Sequence, residues 1–228
     1  MKLSVLMPVY NEKPTLKTIV ERVKQVPIPK EIILVDDCST DGSREILKEL
    51  ETSNDPELKI YYHQKNLGKG GAIRTGIEKA AGDYVIIQDA DLEYDPNDYL
   101  ELVKALEENN ADVVYGSRFL GTCKNMSFSH LFGNKLLTFL ANLLYGAKLT
   151  DMETCYKLWK TALIKNIKFK ANRFNFEPEI TAKMLKKKIK ILEVPITYDA
   201  REFDQGKKIS WKDGFSAIWA LIKYRFVN

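Results

Sequence analysis

Short aliphatic and β-branched runs alternate with stretches of helical period through the first half of the chain, and this alternation constrains its fold more than any other feature. Residues 2–9 and 31–35 read as buried strands that stop abruptly at polar residues. Between them Leu16, Ile19, Val20 and Val23 recur at helical spacing, with Pro14 suited to a first turn. The unit is β-α-β. Residues 43–50 predict a second helix, 59–63 a third strand, 72–81 a third helix closed by Gly82 as its C′ residue, and 84–88 a fourth strand. Asp95 and Pro96 suit an N-cap and first helical position ahead of 97–108, and 112–115 forms a further strand. Strands separated by such helices pair in parallel through right-handed crossovers, which predicts an α/β fold with a mainly parallel sheet and helices on both faces.

The second half is less regular. Residues 127–145 carry Phe128, Leu131, Phe132, Leu136, Phe139, Leu140, Leu143 and Leu144 at helical spacing, with Asn134, Lys135 and Asn142 between them. That stripe is either core or the face of a helix lying in a lipid headgroup region. A helix over 177–187, a strand over 189–198 and an amphipathic segment over 211–226, with Trp211, Phe215, Trp219, Tyr224 and Phe226, complete the chain. With no linker or repeat, 1–228 reads as one domain.

Composition removes whole classes of function. With 35 Lys+Arg against 31 Asp+Glu the net charge is only +4, too slight to argue a nucleic-acid partner. Cys38, Cys123 and Cys155 give neither a disulfide framework nor a zinc site, which fits a cytoplasmic setting. No run of 18 apolar residues occurs, so any lipid contact is expected at the membrane surface.

On a parallel sheet, ligands bind beyond the carboxyl ends of the strands. Those ends here carry Pro8-Val9-Tyr10-Asn11-Glu12, then Asp36-Asp37, then Gly68-Lys69-Gly70-Gly71, then Asp89-Ala90-Asp91. Asp89 and Asp91 either cap the amides of a turn or converge on a cation; with only oxygen donors nearby, that cation is Mg²⁺ or Mn²⁺ shared with substrate phosphates, and Glu93 adds an oxygen directly or through water. Asp36 and Asp37 can accept from a nucleoside, though helix capping explains part of this segment. The glycine-rich turn lacks the spacing of a P-loop, yet it can approach a pyrophosphate with Lys69 supplying charge, or be a simple tight turn.

Together these four ordered motifs resemble the inverting family 2 glycosyltransferases of GT-A fold, most of all the polyprenyl-phosphate (dolichyl- or undecaprenyl-phosphate) mannose and glucose synthases. The resemblance implies an NDP-sugar donor of the GDP-mannose or UDP-glucose type. Pro8, Val9, Tyr10, Glu12, Asp36, Asp37, Lys69, Asp89, Ala90 and Asp91 would bind that donor, with Asp89, Asp91 and Glu93 around the metal. Members of the family often have Gln where this chain has Glu93. It also implies that residues 1–118 form the donor half and 119–228 the acceptor half, with Arg118, Arg201 and Lys207 or Lys208 gripping an acceptor phosphate at a peripheral membrane surface.

A phosphate acceptor is already anionic and needs no base, whereas a hydroxyl acceptor does. Asp151, in the segment 150–157, is therefore either a base, a sugar contact or a turn carboxylate, and is grouped with Asp89, Asp91 and Arg118 as a catalytic candidate. The rivals to transfer onto a lipid phosphate are transfer onto a saccharide hydroxyl and a nucleotide-binding module without turnover.

Overall fold

The structure, a computed structural model, describes residues 1–173, 175–201 and 211–227. In chain order the elements are β1 (Leu3–Val9), α1 (Leu16–Gln25), β2 (Lys30–Asp36), α2 (Ser43–Thr52), β3 (Leu58–Tyr62), α3 (Lys69–Lys79), β4 (Tyr84–Ile87), α4 (Tyr99–Glu108), β5 (Val113–Lys124), α5 (Phe128–Tyr145), β6 (Lys157–Lys160), α6 (Thr161–Lys165), α7 (Phe176–Lys186), β7 (Ile191–Asp199) and α8 (Trp211–Phe226). A 3₁₀ turn, Pro96–Asp98, leads into α4, and the Asp95 carboxylate accepts from the Asn97 amide as the expected cap.

One seven-stranded sheet runs in the order β3-β2-β1-β4-β6-β5-β7. β1, β2, β3 and β4 pair in parallel, as do β5 and β7, while β6 lies antiparallel between β4 and β5. β6 is a strand that the sequence pattern did not predict: four residues long, it carries a buried lysine in place of aliphatic alternation. The Lys157 ammonium is satisfied by the carbonyls of Met152 and Thr154 and faces the Tyr115 ring at 4.8 Å.

The aliphatic faces of β1, β2 and β4 are fully buried against α1, α3 and α4, so the strands read as continuous hydrophobic runs. Glu31, buried in β2, is held by Ser4, Lys59 and the Ala81 amide; against the cost of burial these keep its carboxyl at about 2. Gly82 does not close α3. That helix ends at Lys79, and Ala80 is extended at φ −60° and ψ 131°. Gly82 instead lets the chain pass close to β1, since a Cβ there would stand 2.6 Å from the Lys2 carbonyl oxygen.

A second core lies in the C-terminal half, where Leu137 and Ala141 of α5, Ala182 of α7, and Ala217, Ala220 and Leu221 of α8 pack together. Leu140 and Leu144 pack against that core, but much of the remaining apolar stripe of α5 does not. Phe128 is 80% exposed, and Phe132, Leu136, Phe139 and Leu143 also face outward, as do Phe215, Trp219 (65%), Ile222 and Phe226 of α8. Tyr224 belongs to neither surface, because it is buried beneath Lys183. Among the described residues no helix is long and apolar enough to cross a membrane.

Candidate active site

The strand order reverses its direction of growth between β1 and β4, and the segments leaving these two strands meet there. After β1 comes Glu12; after β4 come Asp89, Asp91 and Glu93. The Thr15 hydroxyl donates to the Ala90 carbonyl at 2.8 Å, tying the start of α1 to the acidic loop.

Two cations enter this group of acids. Lys69, the first residue of α3, lies 2.8 Å from Asp89 and 3.2 Å from Glu177 of α7. Arg201, just past β7, reaches Asp91 at 2.7 Å, Glu12 at 3.2 Å and Glu93 at 3.4 Å, and its own amide donates to Glu93 at 2.9 Å. The balance is uneven. Although burial opposes it, the Lys69 ammonium holds the Asp89 carboxyl below its usual range. Burial, then the charges of Asp89 and Glu93, push Asp91 up to about 8 in spite of Arg201. Glu93 has both oxygens engaged, one by Arg201 and the other by the Tyr198 hydroxyl at 2.9 Å.

Asp36 and Asp37 occupy different ground. Both are buried, and their oxygens serve the protein itself: Asp36 accepts from the Ser39 amide and pairs with Arg44 at 2.7 Å, while Asp37 accepts from the amides of Leu67 and Gly68 and lies 2.8 Å from His63 Nδ1. Asp37 thus fixes the glycine turn to the end of β2. The glycines have a packing role as well. Gly68 sits at φ +80°, and a Cβ on Gly68 or Gly70 would stand 2.2 or 2.4 Å from the carbonyl oxygens of Asn172 and Ala171, so the backbone of 171–172 covers the start of α3. Of this turn, only the Lys69 side chain points to the acids.

At the other end of the sheet, pairing of β5 with β7 shifts register between Ser117 and Thr122, and a Cβ at Gly121 would meet the Ile196 carbonyl oxygen at 2.1 Å. The irregularity turns Arg118 inward. Its guanidinium grips Asp151 through Nε and Nη2, each at 2.7 Å, and its amide donates to the same carboxylate at 3.0 Å. Asp151 is fully buried and has both oxygens taken, which is the setting of a positioning residue and not of a free base. The Arg118 carbon Cζ also lies 5.2 Å from the Tyr198 ring and 5.5 Å from Phe119, and Lys135 of α5 approaches Phe119 from 5.6 Å. A cleft of about 390 Å³, lined by Phe119, Lys135, Phe139, Leu149 and Thr150 among others, opens beside them.

Pro8 and Val9 end β1, and Tyr10 is exposed at the rim. Lys207 and Lys208 lie outside the described residues. Sequence reasoning missed Glu177, the second partner of Lys69, and Tyr198, the second partner of Glu93; neither stands in a motif, and both arrive by the tertiary fold.

The glycosyl transferase family 2 profile matches residues 4–167, most of the chain. The chain belongs to that family. As a family 2 glycosyltransferase it is 31% identical over 215 residues to a dodecaprenyl-phosphate galacturonate synthase of Rhizobium johnstonii, covering 91% of this chain and 62% of the relative. It is 28% identical over 236 residues to a UDP-N-acetylglucosamine–dolichyl-phosphate N-acetylglucosaminyltransferase of Methanococcus voltae, covering 96% of this chain and 94% of that one. Among solved structures, glucosyl-3-phosphoglycerate synthase from Mycobacterium tuberculosis, crystallised with Mn²⁺, UDP and phosphoglyceric acid, superposes with a TM-score of 0.76 at 16% identity over 100% of this chain and 79% of that one. The family 2 fold shared with it is GT-A, as the sequence motifs implied.

Proposed function

We propose that this family 2 enzyme moves a hexose from an NDP-sugar to a polyprenyl phosphate, with inversion, at a membrane surface. The observation that carries the reading is the gathering of acid at the switch point: Glu12, Asp91 and Glu93 meet around Arg201, and Asp89 lies beside them on Lys69. An all-oxygen donor set with surplus negative charge fits a hard divalent cation. Among the described residues no three acids, thiols or imidazoles stand as a preformed metal-holding cluster, and Lys69 and Arg201 lie among these acids. Asp89 and Asp91 would hold Mg²⁺ or Mn²⁺, with Glu93 assisting. When bound, the ion supplies charge neutralisation for the departing diphosphate.

The remaining steps fall to the chain. Residues 1–118 hold the donor, with Pro8, Val9, Tyr10 and Glu12 on the nucleoside side and Asp36 and Asp37 fixing the loops around it. Residues 119–228 present the acceptor. Arg118, oriented by Asp151, keeps Nη1 to donate to the acceptor phosphate, and Arg201 and the pair Lys207 and Lys208 add charge. The phosphate oxygen attacks the anomeric carbon from the face opposite the leaving group. No base is needed, in keeping with an Asp151 committed to Arg118. The names of the two relatives support this acceptor class over a saccharide hydroxyl.

The exposed stripes of α5 and α8 support peripheral attachment. α5 carries no acidic residue, and Lys135 of α5 and Lys223 and Arg225 of α8 supply positive charge for anionic headgroups. Free Cys38, Cys123 and Cys155 fit the cytoplasmic face.

The test is transfer of labelled hexose from a panel of UDP- and GDP-sugars to a short polyprenyl phosphate with Mn²⁺ or Mg²⁺. Product that forms only with metal and lipid phosphate is expected. Sugar appearing on glycans but not on lipid phosphate overturns the acceptor, and no turnover with any donor overturns the enzyme. Attachment is checked by vesicle sedimentation: Phe132→Ser with Phe139→Ser should weaken binding to phosphatidylglycerol vesicles roughly tenfold or more, with the melting point unchanged because both rings are exposed.

A further inference from the structure

Two acids that begin α7 differ sharply in what they do. Glu179 is saturated, accepting from the amides of Lys170 and Ala171 and from Lys183. Glu177, two residues earlier, spends one oxygen on Lys69, while its Oε2 is buried with no hydrogen-bond partner among the described residues. Its side chain is only 6% exposed. The Oε1 of Glu153, from the segment leading into β6, is buried and unpartnered as well. The nearby ammonium of Lys157 favours both carboxylates by its charge but gives neither a hydrogen bond, because it donates to the Met152 and Thr154 carbonyls. Burial and the charge of Glu177 raise the Glu153 carboxyl to about 8, so the two side chains feel one another directly.

A buried carboxylate oxygen without a donor is costly and requires an explanation. Its position supplies one. A single ammonium, that of Lys69, touches both Glu177 and Asp89, so the unfilled oxygen of Glu177 lies one side chain away from the acid expected beside the donor diphosphate. The part of an NDP-sugar attached to that diphosphate is the hexose ring, whose adjacent hydroxyls are donors of the kind these oxygens lack. We infer that Glu177, with Glu153 beside it, accepts hydrogen bonds from hydroxyls of the donor hexose and so helps to set sugar specificity. This rests on the proposed NDP-sugar chemistry and adds to it a residue pair outside every sequence motif. A site built to accept from hydroxyls rejects analogues that lack them far better than an apolar pocket does.

Titration calorimetry tests the pair without reference to the acceptor. UDP and GDP are compared with their hexose derivatives, all with Mn²⁺, on the wild type, Glu177→Gln and Glu153→Gln. Loss of the accepting carboxyl oxygen should cost about fivefold or more in sugar-nucleotide affinity, with affinity for the bare nucleotide unchanged. Equal losses for nucleotide and sugar nucleotide would mean a structural or metal-binding role and overturn the inference, as would no loss. Should Glu177→Gln fail to fold, the half-buried Glu153→Gln decides. A wild type that binds no sugar nucleotide more tightly than its nucleotide also overturns it. Sugar-dependent binding without transfer to lipid phosphate removes only the proposed acceptor.

Discussion

Two strand ends in this molecule carry paired aspartates, and they have opposite electrostatics. At the end of β2, Asp36 and Asp37 are buried yet satisfied: Arg44, His63 and three backbone amides absorb their charge, and the loops around them are fixed in consequence. Beyond β4, Asp89 and Asp91 stand close to Glu12 and Glu93, with Lys69 on Asp89 and Arg201 shared by the other three, and Asp91 is driven up to about 8. The same residue type in similar sequence context is fully partnered at the first site and held against its neighbours' charge at the second, the one to which the proposed function assigns the metal.

The sharpest way to break that contrast is Asp91→Asn. Transfer should fall by about a thousandfold, while the melting point at pH 8 holds or rises because repulsion with Asp89 and Glu93 is removed. A drop in melting point without loss of turnover would reverse the assignment. Asp37→Ala should do the opposite. It strands the part-buried amides of Leu67 and Gly68, for a loss of about 2 kcal/mol and a melting point roughly 4–8 °C lower, readable by calorimetry. Asp37→Ala with unchanged stability would mean that the satisfied loop is not structural.

Glu93→Gln sharpens the boundary between the two behaviours. Its oxygens are held by Arg201 and Tyr198, so turnover at saturating Mn²⁺ should stay within about tenfold of wild type, and the metal requirement should shift modestly. A loss as large as that of Asp91→Asn would place Glu93 among the direct ligands. The smallest effect is on pH dependence. Asp91 and Glu153 are raised to about 8, so between their unfolded values and pH 8 the folded chain binds more protons than the unfolded one. Their contribution is whole below about pH 4 and is lost as pH rises through 8. Glu31, Asp41, Asp55 and Glu179 are shifted downward and act in the opposite sense only at acid pH. In EDTA, melting points measured from pH 5.5 to 8.5 should fall with pH, and less steeply in Asp91→Asn.

Most of the donor half was legible because its signals are local. Aliphatic runs, helical spacing and the Asp95-Pro96 start each act over a few residues, and the structure places β1 to β4 within a residue or two of the expected bounds. The acceptor half was legible in its helices but not in its sheet. β6 is too short and too charged to announce itself, and the register shift that aims Arg118 depends on Gly121 meeting Ile196, 75 residues further along the chain.

What the chain dictated by itself was the alternation of strand and helix and the delivery of acids, glycines and Lys69 to one rim. Only the tertiary structure decided which acids would be neutralised, that Asp151 would serve Arg118, that Glu177 would join Lys69, and that the stripes of α5 and α8 would stay outside. Periodicity is set by backbone geometry between near neighbours, whereas charge balance and burial depend on partners that arrive from distant parts of the sequence.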